Sequence, residues 1–226
     1  MLRCRIPLSL AFSNITMRRL PIYILLDTSG SMRGEPIEAV KTGLRSLLSS
    51  LSRDPYALET VYLSIITFDL EAKVLTPLTE LDGFTLPEIE APETSPTNLG
   101  EALELLCDQY DKEVIKTTPN QKGDWLPFAV VMTDGAPSDT MLFKQMTAKL
   151  KKYRFARIVG CAAGPKAKID PLREITMDIV SLDTMDSNSF AQFWQWVSTA
   201  VSQQSQTTDS THEDLPPPPS EINLVL

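Results

Sequence analysis

The sequence predicts a doubly wound α/β domain. Three observations carry that expectation. Short apolar runs rich in Ile, Val and Tyr recur along the chain, amphipathic helical stretches lie between them, and the two alternate regularly. Most of the runs are apolar throughout rather than at every second position. That pattern suits strands covered on both faces, as in a parallel sheet.

Residues 20–26 (LPIYILL) form the first run. A helical stripe follows over 36–51, with Ile37, Val40, Leu44, Leu47, Leu48 and Leu51 spaced by threes and fours, and Pro36 suits its first turn. Residues 61–68 (VYLSIITF) form the second strand, and 72–75 a further one. So short a link demands an antiparallel hairpin, because a parallel partner needs a crossover. Residues 76–96 are a long connection rich in Pro and Glu, of the length that usually serves function. The helix at 98–110 is to be capped by Asn98, with Glu101 completing a capping box. The run 127–132 (PFAVVM) precedes a helix at 139–152, for which Ser138 or Asp139 is the cap. The strand 155–163, a short helix at 169–175, the strand 178–182 and the helix 189–201 complete the order. The expectation is a Rossmann-like, mostly parallel six-stranded sheet with one antiparallel edge strand and helices on both faces.

A folded domain is expected over residues 17–205, starting near Met17. Residues 1–16 read as an N-terminal extension and 206–226 as a polar, Pro-rich linker with an apolar end. That end, residues 222–226, is expected to add a strand or fill a groove, on its own domain in preference to a partner.

The chain of 226 residues has one histidine, His212, and it stands in the linker. This excludes His-dependent nucleophile systems and His-rich metal sites. Any metal site must use oxygen ligands, which favour magnesium, calcium or manganese. The cysteines Cys4, Cys107 and Cys161 form no CxxC pair, so buried thiols in a reducing, cytoplasmic setting are expected. A net charge of −8 argues against nucleic acid as partner, and no apolar run is long enough for a membrane span.

The first run ends in Asp27-Thr28-Ser29-Gly30-Ser31, at the carboxyl end of a strand, where ligands bind in doubly wound sheets. Gly30 permits a tight turn, so the alternate residues Asp27, Ser29 and Ser31 can converge on one hard cation. Met132-Thr133-Asp134-Gly135 brings Asp134 to the same edge, and Ser95-Pro96-Thr97-Asn98 brings Thr97.

This set resembles the metal-ion-dependent adhesion site of von Willebrand factor type A domains, with matching element order over about residues 18–203. The resemblance implies that Ser29, Ser31 and Thr97 offer hydroxyls to Mg²⁺, with Mn²⁺ or Ca²⁺ as substitutes. Asp27 and Asp134 would act directly or through water. An acidic residue of a protein partner would fill the remaining position. The runs YILLDTSGSMRGEPIEAVKTGL, SPTNLGEAL, MTDGAPSD and PPPPSEINLVL are similar to bacterial TerY-type tellurium-resistance proteins. That resemblance implies a cytoplasmic scaffold in a stress response, beside kinase- or phosphatase-like partners.

The rival class is a Mg²⁺-dependent phosphoryl-transfer or hydrolytic enzyme with Asp27 as nucleophile. Against it, the loop has no second acid of the D-x-D kind, and the chain has neither a G-x-x-x-x-G-K-[ST] cradle nor a G-x-S-x-G elbow. Asp69 is a further carboxylate near the rim or a simple turn former. Trp194 follows the core stripe, whereas Trp196 is a partner contact or edge packing. The basic residues Lys149, Lys151, Lys152 and Arg154 complement a helix end.

Overall fold

All eight residues of β1, Leu20–Asp27, are buried. Their side chains alternate between two cores: Leu20, Ile22, Ile24 and Leu26 enter one, Tyr23 and Leu25 the other. A strand with an apolar residue on both faces needs helices above and below it, and the rest of the chain supplies them. The structure is a computed structural model that describes residues 18–206, 216, 217, 219 and 223–225. The expectations about residues 1–16 and most of the tail, His212 included, lie outside the described residues.

After β1 come a single 3₁₀ turn, Gly30–Met32, and α1, Glu35–Leu51. A short helix follows, α2, Pro55–Thr60, then β2, Val61–Phe68, and β3, Ala72–Glu80. The rest runs α3 Leu99–Glu113, β4 Phe128–Thr133, α4 Thr140–Leu150, β5 Arg157–Ala163, α5 Asp170–Ile175, β6 Asp178–Leu182, α6 Ser187–Gln206 and β7 Asn223–Val225. The sheet order is β3-β2-β1-β4-β5-β6-β7. β1 pairs in parallel with β2 and β4, and β5 is parallel to β4 and β6, while β3 is antiparallel to β2. The six expected strands, the hairpin edge and the two helical layers are therefore present. One core lies under α1 and α6, the other under α3, α4 and α5.

Three features depart from the sequence reading. The helix α2 was not expected: it is six residues long, too short for a periodic signal, and is started by Pro55 and by the Asp54 carboxylate, which accepts from Tyr56 N and Ala57 N. β3 extends to Glu80 and so shortens the long connection, with Pro77 tolerated on an edge strand. Trp196 is buried together with Trp194.

The chain end raises the strand count from the expected six to seven. Residues 223–225 add a seventh strand, antiparallel to β6, with Ile179 opposite Val225 and Ser181 opposite Asn223. The expected preference for docking on the same domain thus takes the form of strand addition, which covers an edge that β6 would otherwise expose. Trp196 explains why the helix and the tail stay together, because its indole N–H donates to Pro216 O at 2.8 Å. Deleting residues 215–226 removes both contacts and leaves a buried N–H without an acceptor. We expect a loss of about 2 kcal/mol, or roughly 4–8 °C in Tm, by differential scanning calorimetry. An unchanged Tm would show that the tail contributes nothing to the fold.

Candidate metal centre

The chain moves outward from β1 to β2, then returns to place β4 on the other side of β1. The carboxyl ends of β1 and β4 therefore diverge in connection, and a crevice opens between the loops that leave them. Leu26 is in register with Met132, so Asp27 and Thr133 leave the sheet side by side. Thr133 Oγ1 donates to Asp27 Oδ2 at 2.5 Å, and Ser29 N donates to Asp27 Oδ1 at 2.8 Å.

From Asp27 a continuous set of oxygens runs across the crevice. Ser29 Oγ and Ser31 Oγ are 3.2 Å apart, and Ser31 Oγ donates to Asp134 Oδ1 at 3.0 Å. Thr97 joins from the third loop: its Oγ1 would lie 3.2 Å from a Cβ placed on Gly135, next to Asp134. Asp27, Ser29 and Thr97 are buried, Asp134 is half-buried and Ser31 is exposed, so the set opens to solvent on the Ser31 side. Gly30 allows the first and third loops to meet, since a Cβ there would stand 3.0 Å from Glu93 O and Thr94 Cα.

Burial pushes the Asp27 carboxyl up to about 6, although bonds from Ser29 and Thr133 pull it down; the charge of Asp134 adds to the rise. No basic side chain is among the leading causes of this balance. A buried carboxylate that lacks a cation, beside two hydroxyls and a second carboxylate, is a donor set suited to a hard divalent ion. Among the described residues no three His, Cys, Asp or Glu side chains converge, so any ion held here relies on the hydroxyls.

The helix caps differ from expectation, and the difference bears on the site. Asn98 does not cap α3 with its side chain; its amide donates to Leu70 O at 2.8 Å, and Glu101 accepts from Ala72 N. Asp139 caps α3 instead, from a different loop, with Oδ1 accepting from Gly100 N at 3.1 Å and Oδ2 from Glu101 N at 2.9 Å. Ser138 does the same one step earlier. Its Oγ accepts from Thr97 N at 3.1 Å and its N donates to Thr97 O at 2.8 Å. Neither residue caps α4 with its side chain. Four hydrogen bonds thus tie the loop of Asp134 to the loop of Thr97. Sequence reasoning placed Ser138 and Asp139 correctly at a helix start and assigned them the wrong helix, because capping preference identifies a donor-hungry terminus but not which one.

Asp139 is therefore a positioning residue for Thr97. Asp139→Ala is expected to weaken divalent-ion affinity about tenfold by isothermal titration, with Asp139→Asn intermediate because it keeps one acceptor. A change below about twofold would remove that role.

Asp69 is a turn former: its Oδ1 accepts from Glu71 N at 3.3 Å and its Oδ2 from Thr28 Oγ1 at 3.3 Å. The long connection is pinned by buried Leu81 and Ile89, and by Lys41 Nζ, which donates to Glu38 and Glu88, each at 2.8 Å. Cys107 and Cys161 are free thiols in opposite cores, and burial pushes the Cys107 thiol up to about 11 and Cys161 higher still.

A family profile described as von Willebrand factor type A domain matches residues 22–211. No curated protein matches at the sequence level. Solved structures share the fold. The D319A mutant of the PilB minor pilin from Streptococcus sanguinis aligns with a TM-score of 0.61 and 12% identity, over 82% of this chain and 62% of that one. A von Willebrand factor type A structure from Catenulispora acidiphila gives 0.58 and 16%, over 81% and 42%. Proximal thread matrix protein 1 from the mussel byssus, described with a zinc-occupied MIDAS motif, gives 0.54 and 14%, over 83% and 46%. The chain spans about half the length of the mussel and Catenulispora proteins.

Proposed function

The chain belongs to the von Willebrand factor type A family, and from that footing we propose that it is a protein-binding module in which Asp27, Ser29, Ser31, Thr97 and Asp134 hold a divalent cation. The observation that carries this reading is the chain of hydroxyl and carboxylate oxygens from buried Asp27 through Ser29 and Ser31 to Asp134. Mg²⁺ is the ion of choice for an all-oxygen set with few charges, with Mn²⁺ or Ca²⁺ as substitutes. When bound, the ion supplies a local positive charge that an acidic side chain of the partner can reach. The protein's own part is to hold the hydroxyls in place and to exclude water on the Asp27 side. Two exposed apolar side chains flank this region, Leu70 in the turn tied to Asn98 and Met141 in the first turn of α4, just after the Asp139 cap of α3, which suits a protein surface as ligand.

We take the module to be non-catalytic. Both oxygens of Asp27 already accept hydrogen bonds and the residue is 1% exposed, which supports a ligand more than a nucleophile. A cytoplasmic scaffold in a bacterial tellurite- or stress-response system, serving kinase- or phosphatase-like partners, is the setting that its resemblance to TerY-type proteins favours. Among the described residues no helix is long and apolar enough to cross a membrane.

The test is affinity capture on the immobilised full chain, in Mg²⁺ and in chelator, with Ser29→Ala as control. Proteins retained by the wild type in Mg²⁺ alone are the expected result. The same proteins retained under all conditions would sink the metal-dependent reading.

A further inference from the structure

At the opposite end of the sheet, where strands β1, β4 and β5 begin, lies a cavity of about 450 Å³. That volume is in the range of ligand pockets. Its wall combines three cations, Arg18, Lys116 and Arg154, with the apolar surfaces of Tyr110, Ile115 and Trp125.

The charges are not cancelled locally. Among the described residues Asp124 is the only acid in the lining, and its carboxylate is already engaged: it accepts from Arg19 Nε at 2.9 Å, from Arg19 Nη2 at 2.7 Å and from Ile115 N at 2.8 Å. Arg154 makes no ion pair among the described residues, and its side chain is exposed. Lys116 lies 3.5 Å from Asp111 with both side chains in solvent, a contact worth little. Arg18 is held in place, stacked 3.8 Å from the centre of the Trp125 ring while it donates to Gly123 O and Asp124 O, each at 2.8 Å.

The apolar part is equally uncovered. Ile115 is 42% exposed, one of five large apolar side chains in that state among the described residues. The wall beneath it is tightly built, because a Cβ on Gly123 would collide with the backbone of residues 115–117.

From this we propose that the cavity is a second docking site, for an acidic peptide segment of a protein partner with an apolar side chain between its carboxylates. A compact phosphate fits less well. The cavity abuts the C-terminal end of α3, whose carbonyls carry partial negative charge, and among the described residues no long helix begins in its lining. Cations spread around an apolar centre match carboxylates spread along a chain. The inference is independent of the metal centre, since no residue is shared between the two.

The probe is a fluorescein-labelled octapeptide of alternating glutamate and leucine, titrated against the full chain and followed by anisotropy. Saturable binding is expected in Mg²⁺ and in EDTA alike, and for Asp27→Ala as for the wild type. Arg154→Glu and Lys116→Glu, both at exposed positions, are each expected to weaken it about tenfold. A lysine-leucine peptide should not bind, and inorganic pyrophosphate should not compete. Loss of binding in EDTA would assign the peptide to the metal centre and overturn the proposal. So would indifference to Arg154→Glu, competition by pyrophosphate at the peptide's own concentration, or no saturation up to about 1 mM.

Discussion

In chelator at pH 7, Asp27→Asn is expected to unfold at a higher temperature than the wild type, and to gain nothing when Mg²⁺ is added. Burial pushes the folded-state carboxyl up to about 6, above its ordinary value of 3.8. The folded state therefore keeps its proton over a range where the unfolded state has lost it. Stability contributed by the neutral carboxyl is full below about pH 4 and is lost as pH rises through 6. At neutral pH the ion-free domain bears a cost of up to about 3 kcal/mol, little screened because the residue is buried. Asparagine removes it and preserves the packing, since the Thr133 hydroxyl can turn to accept from the new amide. The expected gain in Tm is several degrees at pH 7 and nothing near pH 4. With Mg²⁺ the order reverses: the wild type is stabilised by mass action, about 2.7 kcal/mol at a hundredfold excess over Kd, and the variant is not. Calorimetry at two pH values, with and without Mg²⁺, reads all four states. A variant less stable than the wild type at pH 7 in chelator would mean that Asp27 is stabilised by its neighbours rather than waiting for a cation.

Gly100→Ala is expected to destabilise the fold by about 3 kcal/mol, roughly 6–12 °C in Tm, and to weaken the metal centre with it. The sign is informative, because a glycine-to-alanine change inside an unobstructed helix stabilises by about 0.4–1 kcal/mol. Here the new Cβ would meet the Phe143 backbone N, stand 2.5 Å from Asp139 Oδ2 and lie 2.9 Å from Leu142 C. Two of those neighbours are main chain of α4 and cannot step aside. The third is the carboxylate that caps α3. Helices α3 and α4 must separate, the cap on Gly100 and Glu101 is lost, and Thr97 loses its register against Asp134. Wild-type Tm or a gain in stability would mean that the seam between α3 and α4 is looser than these distances require.

Both predictions concern residues that pattern reading could place but not fully interpret. Asp27, Ser29, Ser31, Thr97 and Asp134 stand at strand or helix ends that apolar periodicity locates without help from the rest of the chain. Their convergence followed from a general rule about where parallel sheets open. Asp139 is different. Its partners Gly100 and Glu101 lie 39 and 38 residues away, and no local signal distinguishes a cap for its own helix from a cap for a neighbour. Trp196 is similar: on a helical wheel it falls beside the core stripe, and only the returning chain at Pro216 buries its edge and satisfies its N–H.

Local pattern alone determined the α/β class and the order of elements along the chain, and it put the oxygen donors of the candidate centre at strand and helix ends, because hydrophobic period and residue chemistry act over a few neighbours. Packing across the fold settled which helix Asp139 caps, how β7 closes the edge at β6, and that Arg18, Lys116 and Arg154 surround one cavity. Those contacts join segments brought together only when the sheet forms, so their energies depend on distances that no stretch of sequence contains.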